Sequence, residues 1–127
     1  MPKIGRILIV EDENAIRQSL QRFLEKAGFV AQAVSSASEA MARLAQDSVD
    51  VCLTDINLPD YEAAEWIPGV VLLYPKLEWV LYTGTVAYSL PEKILGAGIK
   101  KEHLFYKPAL SLSRLQELLS SLCCKVG

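Results

Sequence analysis

Short apolar runs alternate with stretches of helical periodicity along this chain, and that alternation restricts the fold more than any other feature. Arg6 to Val10 (RILIV) is followed at once by Glu11-Asp12-Glu13-Asn14, the pattern of a strand buried on both faces that ends in an acidic loop. Ile16, Leu20, Phe23, Leu24 and Ala27 then recur at three-to-four spacing, and Gly28 stands where a helix stop belongs. Phe29 to Val34 is short and β-rich, Ser35-Ser36 offers capping hydroxyls, and Ala37 to Gln46 carries Ala40, Met41 and Leu44 on one helical face.

The second half repeats the pattern. Val49 to Asp55 predicts a third strand, and Pro59 shows that the chain leaves the sheet there. A helix is expected within Ala63 to Tyr74, where Pro68-Gly69 would either set its first turn or break it. Leu77 to Thr83 predicts the fourth strand, Pro91 to Ala97 a short helix, Leu104 to Tyr106 the fifth strand, and Ser111 to Leu122 a leucine-rich final helix. Strands alternating with helices imply a doubly wound α/β fold, a parallel sheet covered on both faces through right-handed crossovers. Such sheets bind ligands outside the carboxyl ends of their strands.

At 127 residues the chain fits one domain, 1–127 with a core of about 5–122, and no output domain is expected in it. Hydrophobic residues make up 51% and charged residues 22%, the balance of a globular protein rather than a disordered one. The net charge of −2, with no run of Lys or Arg, offers no electrostatic footprint for nucleic acid or an anionic membrane. Neither a secretory signal nor a span of ~20 apolar residues is seen, and Cys52, Cys123 and Cys124 form no even disulfide framework, so a cytoplasmic setting is expected. Cys52 reads as a small buried hydrophobe and Cys123-Cys124 lack the neighbours of a metal site. His103 reads as a surface loop residue, and Trp66 and Trp79 as packing residues, since no basic residues interleave with them.

The strand ends carry Glu11 and Asp12, Asp55, Thr83, and then Lys107-Pro108. Taken singly, the acids could be helix N-caps, Thr83 an ordinary β-branched residue and Lys107 a solvated cation. Taken jointly, they bring carboxylates, a hydroxyl and an ammonium to one edge of one sheet. Clustered carboxylates repel, and a hard divalent cation with oxygen ligands relieves them; Mg²⁺ suits best, because it retains sites for phosphate oxygens. Lys107 and Thr83 would then contact a phosphoryl group, and Asp55, on the central strand, is the candidate nucleophile.

These residues sit in motifs that resemble the receiver domain of two-component response regulators over essentially the whole chain. LIVEDE (Leu8 to Glu13) is similar to that family's first strand and acidic pair, and LTDINLP (Leu53 to Pro59) to its phosphoacceptor strand and loop. YTGT (Tyr82 to Thr85), GAG (Gly96 to Gly98) and YKP (Tyr106 to Pro108) follow in the family's order. The resemblance implies a flavodoxin-like strand order 2-1-3-4-5 and phosphorylation of Asp55 by a sensor histidine kinase or histidine phosphotransfer protein. It implies that Glu11, Asp12, Asp55 and the Asn57 backbone carbonyl hold Mg²⁺, and that Thr83 and Lys107 bind the phosphoryl group. A cis Lys107-Pro108 bond, a downstream protein partner or fused domain, and a monomer or phosphorylation-dependent dimer are implied too. An enzyme is not expected, beyond self-phosphorylation from small donors and autodephosphorylation.

The chain departs from the family pattern at Ala63, where a glycine commonly stands, at Pro68-Gly69, and at Leu104, where an aromatic switch residue is common. The segment Ile99 to Leu104 also looks slightly long. These departures support a second reading, a binding module that keeps the fold and acts without phosphorylation. Enzyme readings fit less well: a flavin carrier would place an anion against Glu11-Asp12-Glu13, and a phosphatase of the haloacid dehalogenase type would want an aspartate where Asn57 stands.

Overall fold

The computed structural model describes residues 4–84, 89–106 and 112–123. Strands β1 (Arg6–Val10), β2 (Val30–Val34), β3 (Val51–Asp55), β4 (Glu78–Thr83) and β5 (Leu104–Tyr106) pair in parallel in the order β2-β1-β3-β4-β5. Helices α1 (Asn14–Lys26), α2 (Ala37–Gln46), α3 (Ala63–Leu73), α4 (Glu92–Gly96) and α5 (Leu112–Cys123) connect and flank them. The doubly wound fold and its strand order are those expected.

Strand side chains point alternately to the two faces, and the core divides accordingly. Leu8, Val10, Cys52, Trp79 and Leu81 join α2, α3 and α4 in one cluster. Ile7, Ile9, Leu53, Val80 and Tyr82 join α1 and α5 in the other. All of β3 is buried, so the sheet clamps its terminal Asp55 from both sides. Gly28 ends α1 with φ +104, a left-handed conformation that an L side chain rarely adopts. Cys52 is fully buried, and burial pushes its thiol far up, which fits the packing role read for it. Among the described residues, no helix is long and apolar enough to cross a membrane.

Pro68-Gly69 neither opens nor breaks α3, contrary to both expectations. The helix starts five residues earlier, with a reciprocal cap between Glu62 and Glu65, and runs through Pro68 to Leu73. An interior proline removes the bond to the carbonyl four residues back and costs a helix roughly 3 kcal/mol. Burial of Trp66, Ile67 and Val70 holds the helix against the sheet despite that loss. Ala63 is the first helical residue and is itself buried, so no glycine is required there.

Trp66 and Trp79 are core residues, 4% and 3% exposed, with ring centroids 5.5 Å apart and planes at 71°. The edge-to-face contact joins α3 to β4. His103 departs from the surface-loop reading. It ends a 3-10 turn, Lys101–His103, that takes up the long segment before β5, and its half-buried ring brings Nδ1 to 3.1 Å from the Trp79 carbonyl oxygen. A carbonyl can only accept, so Nδ1 carries the proton. Trp66→Ala is expected to lower unfolding free energy by about 3 to 5 kcal/mol, read by chemical denaturation; a loss under about 1 kcal/mol would refute a keystone role for the pair.

Candidate phosphoacceptor site

The carboxyl ends of β1 and β3 are neighbours in the sheet, and Glu11 and Asp12 follow β1 directly. Carboxylate oxygens of Glu11, Asp12 and Asp55 all lie within 4.8 Å of one another. Glu11 is fully buried, Asp55 is 5% exposed and Asp12 is exposed, so the cluster grades from protein interior to solvent. At an effective dielectric of about 20, two charges at this spacing repel by on the order of 3 kcal/mol.

Protein donors hold the cluster in place. Glu11 Oε1 accepts the Tyr82 hydroxyl at 2.9 Å, and Oε2 accepts the Glu13 backbone N–H at 3.0 Å. Burial, reinforced by the charge of Glu11, pushes the Tyr82 phenol far above its usual range, so it remains a donor. Asp55 Oδ1 accepts the Asn57 backbone N–H at 3.0 Å, and the Asp55 carbonyl accepts the Thr54 hydroxyl at 2.9 Å. Arg17, one turn into α1, donates from Nη1 to the carbonyls of Glu11 at 2.9 Å and Asp12 at 3.3 Å and also reaches the Asn14 side chain. Neither Glu11 nor Asp12 occupies the N-cap of α1; that position is Glu13, whose side chain makes no capping bond.

Thr83 ends β4 and is fully buried. A cleft of about 250 Å³ opens beside it, bounded by Ile56, Asn57, Glu62, Ala63, Ala64 and Pro91. Asn57 is exposed and pairs with Glu62 in a short antiparallel bridge that closes the loop after β3. Lys107 and Pro108 lie outside the described residues, and so do Thr85 and Cys124. Leu104 is half-buried, Phe105 is buried and Tyr106 is 40% exposed. Three carboxylates offering only oxygen, two of them on buried residues, fit a hard divalent cation such as Mg²⁺.

Sequence reasoning missed three supporting residues. Tyr82 looks like any aromatic strand residue, though strand alternation puts it on the same face as Asp55, its register partner. Arg17 is a cation placed one turn after an acidic loop. Asp60 reads only as a turn residue after Pro59, yet its Oδ1 accepts the Ala37 N–H at 3.0 Å and its Oδ2 the Ser38 N–H at 2.9 Å and the Ser38 hydroxyl at 2.8 Å. With Ser36 Oγ accepting the Glu39 N–H at 3.2 Å, each of the first three amides of α2 has a side-chain acceptor.

The model of the response regulator receiver domain matches residues 7–119. The chain belongs to the response regulator receiver family. The receiver is 33% identical to the response regulator receiver protein CpdR of Brucella abortus over 85 residues, 67% of this chain and 71% of that one. It is 36% identical over 77 residues to protein-glutamate methylesterase/protein-glutamine glutaminase 2 of Caulobacter vibrioides, covering 60% of this chain but only 22% of that protein. In fold it resembles the response regulator TrrA of Thermotoga maritima, solved in complex with Mg(2+)-BeF, with TM-score 0.79, 21% identity, and 93% of this chain and 98% of that one covered.

Burial pushes the Asp60 carboxyl up, but its bonds from Ser38 and Ala37 outweigh that and leave it below the ordinary carboxylate range. A lowered folded pKa means stability that is present above the ordinary value near 4 and lost as pH falls through the folded one. Asp60→Ala is expected to cost about 1 kcal/mol at neutral pH, and the gap from wild type should close on acidification below about pH 4. Parallel unfolding curves at neutral and acidic pH check this; a gap independent of pH would contradict it.

Proposed function

We propose that this receiver accepts a phosphoryl group on Asp55 from a phosphohistidine of a sensor histidine kinase or phosphotransfer protein, and that the modification alters its affinity for a protein partner. The observation that carries the reading is the mutual approach of Glu11, Asp12 and Asp55, with Asp55 held at the end of a fully buried strand. In this reading the chain is a single signalling unit with its core at about 5–122, and a cytoplasmic setting goes with it. TrrA, a relative in fold, is described with magnesium and a beryllium fluoride, which supports the cation assignment.

In the reaction an Asp55 carboxylate oxygen attacks phosphorus, an O–P bond forms, the donor P–N bond breaks, and the leaving imidazole recovers a proton from solvent. The Asn57 N–H fixes the Asp55 carboxylate for that approach. Glu11, Asp12, Asp55 and the Asn57 carbonyl would hold Mg²⁺, which when bound offsets charge on the phosphoryl oxygens. Thr83, at the base of the adjoining cleft, would donate its hydroxyl to one phosphoryl oxygen, and Lys107 would pair with another. The added charge then biases the face formed by α4 and β5, where Leu95 and Tyr106 are exposed.

Leu104 in place of an aromatic favours the second reading, constitutive docking of a partner by that same face. Incubation with acetyl phosphate and Mg²⁺ is expected to add one phosphoryl group to the intact mass, removable by hydroxylamine and absent in Asp55→Asn. An unchanged wild-type mass, with Asp55→Asn binding the partner as tightly as wild type, would establish docking without phosphorylation instead.

A further inference from the structure

We propose that Tyr82 is a positioning residue of the cation site, its hydroxyl holding Glu11 in the orientation that divalent-cation binding requires. The inference rests on the Mg²⁺ reading above and goes beyond it by naming what organises the ligands. Glu11 carries a long side chain with several rotatable bonds and lies fully buried beside two other carboxylates. Left to itself, it would turn away from them, because like charges repel. Two donors from different elements oppose that rotation: the Tyr82 hydroxyl from β4 on Oε1 and the Glu13 N–H from the loop after β1 on Oε2. One donor on each oxygen defines the plane of the carboxylate and therefore the direction of its remaining lone pairs.

Tyr82 is suited to this because it has no room to move. Its ring is fully buried in the cluster that contains Ile9, Leu53, Phe105, Leu115 and Leu119. Its backbone is the register partner of Asp55, and its carbonyl accepts the Ile56 N–H at 2.9 Å. One residue thus sets both the strand end that carries Asp55 and the carboxylate of Glu11. A phenylalanine would fill the same apolar volume, so the hydroxyl alone distinguishes the positioning role from packing.

Tyr82→Phe tests it. Mg²⁺ affinity is measured by isothermal titration calorimetry on the full chain, well below the unfolding temperature of either protein. Removing a residue that orients a metal ligand typically weakens binding 10- to 100-fold, and a loss of about tenfold is expected. The Mg²⁺ concentration for half-maximal phosphorylation by acetyl phosphate should rise by the same factor, while the rate at saturating Mg²⁺ stays near wild type. A packing role alone would leave both Mg²⁺ measures unchanged in Tyr82→Phe, which would overturn the inference while sparing the function proposed above. Wild-type protein that binds no Mg²⁺ would overturn both. Should Tyr82→Phe fail to fold, the tyrosine difference spectrum of a chain carrying Tyr61→Phe, Tyr74→Phe, Tyr88→Phe and Tyr106→Phe, in which Tyr82 is the one tyrosine left, decides: a band that grows with the calorimetric midpoint of Mg²⁺ binding supports the contact, and a flat spectrum overturns it.

Discussion

Parallel pairing brings the carboxyl ends of all five strands to one edge of the sheet, and the chemistry of this protein depends on that constraint. No parallel strand can be joined to its neighbour by a tight turn, so every connection crosses over and leaves a loop at that edge. Residues far apart in sequence come together because β1 and β4 flank β3: Glu11 follows one neighbour of the strand that ends in Asp55, and Thr83 ends the other. The helices that make the crossovers bury both faces of β3, which gives Asp55 a rigid base and a low-dielectric surrounding.

Crowded carboxylates are costly, and donors from the protein itself offset part of that cost. Backbone amides, a phenol and a guanidinium are arranged around the acids, each held by a different element: Glu13 and Arg17 by α1 and its loop, Tyr82 by β4, Asn57 by the loop after β3. Local unfolding of any one of these would loosen the others. The site is therefore a joint product of the sheet and of loops that the sheet alone does not specify.

The strands and most helices were legible in the sequence because buried parallel strands read as plain apolar runs, and Gly28 and Ser36 mark helix ends by mechanisms that operate locally. The clustering of the acids was legible because parallel strands bring their carboxyl ends to one edge, where Glu11, Asp12 and Asp55 stand. What was not legible depends on tertiary distance. Pro68 reads as a helix breaker until the burial of Trp66, Ile67 and Val70 outweighs its local preference. His103 reads as exposed until the 3-10 turn brings it against Trp79. Tyr82 and Asp60 have partners 71 and 22 to 23 residues away, and no local pattern announces them.

The side chain of Asp60 joins the loop after the candidate phosphoacceptor to the start of a different helix. Its two oxygens hold the amides of Ala37 and Ser38, which no carbonyl within α2 can reach. Hydrogen exchange at those two amides therefore gauges the loop rather than the helix. Whenever the loop swings open, Ala37 and Ser38 lose their shield together while the interior amides of α2 keep theirs, so the motion of one segment is written as the exchange rate of another.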